Sequence, residues 1–350
     1  TPAPGQMRLW AYQSIAHGAD GMLHFRWRTC PYGAEEYWNG ILDHDNIPRR
    51  RYEEFAREGR ELKTIGEKIL GTVVDVKAAA LLDHDQDNAY KTLAMGLPSP
   101  ADQRDQAYRE MWNRHLPCGL VNANDRFDGL ELIVLPSMQM MDEPLAVRLQ
   151  QFVESGGTLM VTARSATKDR DNQVITQTPP GLIRELCGVT VEEFGKIESG
   201  SLSLKLGEQT LRSGGGYEVL QLCGAQEAGR WLAPSDAAPS AATGEPAVAI
   251  NKVGRGTVIY VGTYLTEQNV SDLLGFALSF TTLTPMVDAD QAVEVTRRTD
   301  GRRKLLFLLN HYPTPRAVRN VPAGTDLLTD QPVEGELELP AYGVAVVEEE

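Results

Sequence analysis

Between Gly33 and Gly40 the chain reads GAEEYWNG, with Glu35, Glu36, Tyr37, Trp38 and Asn39 held between two glycines. The stretch before it, GMLHFRWRTCPY, reads as a buried strand, Met22 to Trp27, opening into a loop. Carboxylates accept hydrogen bonds from sugar hydroxyls, and flat aromatic faces pack against the apolar C–H faces of a pyranose. Glu35 with Trp38, and Trp27 at the strand end, therefore form a sugar-binding vocabulary. The plainer reading makes Glu35 and Glu36 solvated loop acids, Tyr37 and Trp38 plugs of a hydrophobic edge, and Trp27 part of a core. Position shifts the balance, because in a parallel α/β barrel the active site lies in the strand-to-helix loops at the carboxyl ends of the strands.

Other chemistry-bearing residues carry less. His17, His24, His44, His84, His115 and His311 lack metal-ligand spacing and fall in different elements, so each reads as a structural histidine and no metal or cofactor is expected. Cys30, Cys118, Cys187 and Cys223 form no CxxC pair, which fits a reducing compartment better than a disulfide framework. The run Arg49 to Arg51 opens an amphipathic helix, where a solvated face or salt bridges outrank phosphate binding.

The elements that would position the loop are a helix from Pro4 to His17, the strand, and a second helix running from an Asp45-Asn46-Ile47-Pro48 start signal towards Gly71. Helix, strand, loop, helix is the grammar of a parallel α/β fold. The pattern restarts near Thr72 with VVDVKAAALLDH, HLPCGLVNAN, LELIVLPS and GGTLMVTAR, and with helices at Asp102 to His115 and Glu143 to Glu154. That alternation predicts a mostly parallel sheet covered by helices on both faces. It continues through PAVAINKVGRGTVIYVGTYL, with VGRG as a hairpin turn, to a helix near Ser271 to Thr281. APSDAAPSAATGEP reads as an exposed loop. From Met286 the period changes to two, through AVEVTRR, KLLFLLNHY, GELELP and GVAVVEEE, which predicts a small antiparallel β domain with EEE as a solvated tail. The boundaries so read are 1–71, 72–285 and 286–350.

A net charge of −14 leaves no excess of Lys and Arg to displace counterions, which argues against nucleic acid as a partner. No apolar run reaches bilayer length and TPAPGQMRLW is no signal peptide, so no membrane partner and a cytoplasmic location are expected.

The run PGQMRLWAYQSIAHGADGMLHFRWRTCPYGAEEYWNGILDHDNIPRRRYEEF resembles the end of the catalytic barrel of glycoside hydrolase family 42, the bacterial β-galactosidases. LIVLPSMQMMDEPLAVRLQQFVESGGTLMVTARS resembles that family's middle, trimerisation domain, and LLFLLNHY with LPAYGVAV its small carboxyl-terminal β domain. The resemblance implies the final piece of a TIM (β/α)8 barrel, then a flavodoxin-like or amidotransferase-like α/β domain, then an antiparallel β domain. It also implies a retaining β-galactosidase acting on a galactoside, assembled as a homotrimer whose subunits wall one another's sites. Retention needs two carboxyl groups about 5 Å apart. The family carries them on earlier strands, so no catalytic residue is assigned here: both are expected upstream of Thr1, which reads as a cut point. Glu35 matches the family's non-catalytic Glu that bonds galactose hydroxyls. Trp38 stands where the family commonly has His, so either a packing face replaces a polar contact or the sugar preference is altered. The alternative class is a carbohydrate-binding or oligomerisation scaffold without turnover. An amidotransferase would need a Cys on a strand-to-helix elbow. Arg164-Ser165 stands there instead, and Cys187 falls in a helix-like RELCGV.

Overall fold

The computed structural model describes residues 1–92, 95–197, 202–233 and 241–350. The first elements are α1 (Gln6–Ala16), α2 (Arg50–Ile69), β1 (Val73–Val74), β2 (Ala78–Leu82), α3 (His84–Thr92) and α4 (Pro100–Asn113). Next come β3 (Cys118–Asn122), β4 (Leu132–Leu135), α5 (Glu143–Glu154), β5 (Thr158–Thr162) and α6 (Arg184–Cys187). Short strands follow: β6 (Val189–Lys196), β7 (Ser203–Leu206), β8 (Gln209–Arg212), β9 (Gly216–Leu222) and β10 (Gln226–Trp231). β11 (Pro246–Val253), β12 (Gly256–Val261) and α7 (Val270–Leu278) lead into β13 (Asp288–Ala289), β14 (Val293–Thr299) and β15 (Lys304–Asn310). The last are β16 (Arg316–Asp326), β17 (Gln331–Leu339) and β18 (Val344–Glu349). They gather into two compact units, one of Thr1–Asp75, Trp112–Pro117 and Pro285–Glu350, the other of Val76–Met111 and Cys118–Thr284.

In the unit formed by Val76–Met111 and Cys118–Thr284, a sheet runs β3-β2-β4-β5-β12-β11-β10-β7-β8. Its first five strands are parallel. β4 (LIVL) and β5 (TLMVT) are buried throughout, as strands covered on both faces must be. The helix α5 forms where expected because Asp142 accepts from the Leu145 N–H at 2.9 Å, Pro144 sits in the first turn, and Gly156 takes φ +117° just past the end. The β11–β12 hairpin turns at Gly254 (φ +57°) and Arg255. The mostly parallel expectation fails over the rest of the sheet: β11, β10, β7 and β8 add antiparallel strands, and β6 pairs with β9. Those strands are short and rich in Glu, Gln, Lys and Gly, and their composition hid them. Of the segment expected as an exposed loop, 234–240 lies outside the described residues.

The other unit is an antiparallel sheet, β1-β14-β15-β18-β16-β13 with β17 on β16, packed with α1 and α2. β15 is apolar on both sides. Leu306 and Leu308 enter a core with Val293, Val318 and Val347, whereas Leu305, Phe307 and Leu309 enter one with Leu9, Tyr12, Ile15, Ile65 and Ile69 of the helices. Three expectations are corrected here. Met22 to Trp27 forms no strand, with bends at Phe25 and Trp27, and among the described residues the one ladder contact beside it is the parallel bridge from Arg28 to Leu42. The second helix starts at Arg50 with Arg49 as an uncapped N-cap, because Asp45 is taken by Arg49 at 2.8 Å and by the Ile47 N–H at 3.3 Å. The acidic end is no free tail: Glu348 and Glu349 belong to β18 and pair with Lys68 and Arg297.

Candidate sugar-binding loop

The loop is built from its two anchors inward. α1 ends in a left-handed turn: Gly18 takes φ +103°, its N–H donates to Ile15 O at 3.0 Å, and the Ala19 N–H donates to Ser14 O at 3.0 Å. The chain then runs through Met22 to Arg28 to buried Thr29, whose Oγ1 accepts from the Gly40 N–H at 2.9 Å and donates to Leu42 O at 3.1 Å. One threonine thus closes residues 30–39 into a compact surface loop. The glycine at its far end is required, because a Cβ on Gly40 would stand 2.6 Å from the Arg28 carbonyl carbon. Gly33 takes φ +77° at the near end.

Within that loop Glu35 and Trp38 share a turn, the Trp38 N–H donating to Glu35 O at 3.1 Å. The Glu35 carboxylate accepts from Arg26 through Oε2, and the Arg26 guanidinium lies 4.5 Å over the Phe25 ring. Among the described residues Oε1 of Glu35 has no partner, and the side chain is 42% exposed. Trp38 is 60% exposed. Trp27 is 56% exposed and meets Tyr52 edge to face at 6.0 Å. Arg26 ties Glu35, and through its turn Trp38, to the segment before the loop, whereas the ring contact of Trp27 is with Tyr52 of α2. None of them lines the cavity of about 320 Å³ bounded by Met7, Trp10, His24, Arg26, Asn39 and Arg51.

Sequence reasoning missed Arg26 and the acids of α2. Glu54, Glu58 and Glu61 recur at four and three residues and so share one face. Glu54 accepts from the Met7 and Arg8 N–H groups at 3.0 and 3.2 Å, where the helix dipole of α1 favours an anion. Glu61 accepts from Arg8 Nε at 2.6 Å. Glu58 is buried and takes His24 Nε2 at 2.9 Å; burial raises its pKa, against the lowering effect of His24. The spacing was visible, but its partners were not.

The remaining suspects resolve as follows. Arg49 to Arg51 form ion pairs with Asp45, Glu54 and Asp43. All four cysteines are free thiols, and among the described residues no three His, Cys, Asp or Glu side chains stand together as metal ligands. At the end of β5, Arg164 takes φ +66° and buried Ser165 bonds back to Thr162 O at 2.8 Å. Cys187 lies in α6, its thiol pushed up by burial. An anionic acceptor held by an arginine in the same turn as an exposed indole can hydrogen-bond and stack on a polyhydroxylated ring.

Comparison with known proteins covers the whole chain. Residues 1–65 match a family model described as β-galactosidase, 76–284 one described as β-galactosidase trimerisation domain, and 292–349 one described as β-galactosidase C-terminal domain. β-Galactosidase LacZ of Heyndrickxia coagulans is 31% identical over 319 residues, covering 88% of this chain and 46% of its own. β-Galactosidase BgaA of Clostridium cellulovorans is 27% identical over 349 residues, covering 99% and 52%. The structure of Gan42B, a GH42 β-galactosidase from G. stearothermophilus, superposes with a TM-score of 0.88 at 26% identity, covering 99% of this chain and 51% of that one. The chain spans about half the length of the curated relatives it matches.

Proposed function

The chain belongs to the β-galactosidases of glycoside hydrolase family 42, and from that membership we propose that it is part of a retaining enzyme hydrolysing terminal β-D-galactosides. In this reading residues 1–71 are the last piece of a TIM barrel, 72–285 an α/β domain that assembles a homotrimer, and 286–350 a β domain. The family-model ranges support the division. The β3-β2-β4-β5-β12 order supports a flavodoxin-like middle domain, since in chain order it reads 2-1-3-4-5. A cytoplasmic setting belongs to the same proposal. The described residues include no helix long and apolar enough to cross a membrane.

The observation that carries the site is the Arg26–Glu35 pair. With Oε2 engaged by a guanidinium, Glu35 offers Oε1 as an acceptor to a sugar hydroxyl, a recognition task. Trp38 and Trp27 supply stacking faces. The acid/base and nucleophile carboxyl groups are then carried by sequence before Thr1 in any longer polypeptide containing this chain. The test is hydrolysis of an aryl β-galactoside. The 350-residue chain is expected to show no turnover above buffer, and a polypeptide of the relatives' length to show turnover whose KM rises on Glu35→Gln. Turnover by the short chain that disappears on Glu35→Gln would overturn the recognition role.

A further inference from the structure

Three side chains, two on β14 and one in the turn that leads to β15, reach α1 and α2. Glu294 is buried, accepting from Gln13 Nε2 at 2.8 Å and meeting His17 Nε2 at 2.5 Å and His311 Nε2 at 2.6 Å. Arg298, 1% exposed, donates to Ile15 O at 2.6 Å, Ala19 O at 3.2 Å and Thr72 O at 2.7 Å, and pairs with Asp20 at 3.3 Å. Arg303 donates to the carbonyls of Glu67, Lys68 and Leu70. The last carbonyls of a helix have no partner within it, and cations are favoured at that end. Arg298 and Arg303 therefore cap the carboxyl ends of α1 and α2.

The placement of Arg298 has a consequence for the loop. Residues 17–21 lead into Met22 to Arg28, and that segment is tied by Ile41 N–H to Arg26 O and Leu42 N–H to Trp27 O, both 2.8 Å, and by His24 Nε2 to Glu58 at 2.9 Å. Its far end is fixed by Thr29. Its near end is fixed by Arg298 and Glu294. We infer that the carboxyl-terminal β sheet is the footing of the Glu35 loop, with Arg298 and Glu294 as positioning residues that set where Arg26 and Trp27 stand. The purpose of the footing rests on the sugar-site reading above; its existence does not, and the test below uses no sugar.

Amide hydrogen exchange of the 350-residue chain, read by mass spectrometry, tests it. Arg298→Met is expected to speed exchange about tenfold at the hydrogen-bonded amides of Gly18, Ala19, Ile41 and Leu42, leaving 76–111 and 118–284 unchanged. Arg298→Lys, which keeps a buried cation without the two-nitrogen fork, restores part of the protection. Arg303→Met loosens 67–72 and spares those four amides. The inference is overturned if Arg298→Met leaves the four amides as slow as before, or loosens β16 and α2 as much, which is what a merely structural arginine would do. Should Arg298→Met not fold, Glu294→Gln serves: it removes the anion that His17 and His311 meet, and wild-type exchange at the four amides would count against the inference.

Discussion

Glu294 and Glu218 are equally buried, yet their pKa values are shifted in opposite directions. Glu294 sits on β14 among Gln13, His17 and His311; burial alone would raise its pKa, but the hydrogen bonds from the two histidines outweigh burial and hold it down to about 2. Glu218 sits on β9, where Oε1 accepts from the Arg164 backbone N–H at 3.0 Å and Oε2 meets the Tyr260 hydroxyl at 2.8 Å. There burial wins and the pKa is raised, because two neutral dipoles do not replace water around an anion. The number of partners differs little. What those partners are decides the direction of the shift.

The largest effect should come from Glu294→Ala, which leaves three donors without their acceptor and is expected to cost about 3 kcal/mol of the stability of its unit. The sign follows from linkage. A carboxyl depressed in the folded state contributes stability above its unfolded pKa, near 4.5, and loses it as pH falls towards about 2. Urea unfolding of the wild type between pH 6 and pH 2.5 should show that decline, and the alanine variant should lack it. A variant that keeps the wild-type slope would show that the acid limb belongs to other carboxylates.

Glu218 gives a smaller effect of opposite sign. Its folded pKa is raised, so the unfolded chain releases the proton first, and the unit loses up to about 1.4 kcal/mol per pH unit as pH rises above 4.5, until the folded pKa is passed. Glu218→Gln, a neutral side chain of the same shape, is expected to remove that slope and to raise stability at pH 7. Destabilisation at pH 7 would mean that the carboxyl is ionised in the fold and that two neutral donors suffice to hold a buried anion.

How much of this the sequence disclosed depends on whether a signal was local. α5 was legible to the residue because Asp142, Pro144 and Gly156 all act within one turn of its ends. KLLFLLN announced a strand, and its lack of alternation also meant that both faces would be covered, which is how β15 comes to lie between two cores. Met22 to Trp27 carried a strand signal that nothing among the described residues answers, since a strand needs a ladder partner and sequence pattern cannot supply one. The GAEEYWNG loop was legible in residue type, and Glu35 and Trp38 do share a turn there. Arg26 was not, because an arginine inside an apparent strand gives no hint that its charge belongs to a loop nine residues on. Nor could spacing pair Gln13 and His17 with a glutamate some 280 positions away.

The smallest effect tests which part of Arg164 serves Glu218. Its backbone N–H makes the bond, while its guanidinium lies 4.5 Å over the Phe194 ring. A non-glycine residue at φ +66° costs about 1 kcal/mol, and an exposed cation–π contact returns about 0.5 to 1 kcal/mol. Arg164→Gly keeps the N–H, relieves the backbone and loses the ring contact, so stability at pH 7 should change by less than about 0.5 kcal/mol. The loss of stability above pH 4.5 should end at only a slightly higher pH than in the wild type, because the peptide donor to Glu218 stays and only the smaller lowering effect of the guanidinium charge is removed. If instead the loss continues to a much higher pH, the guanidinium rather than the peptide holds the carboxyl group, and Glu218 would then resemble Glu294 more than its neutral partners imply.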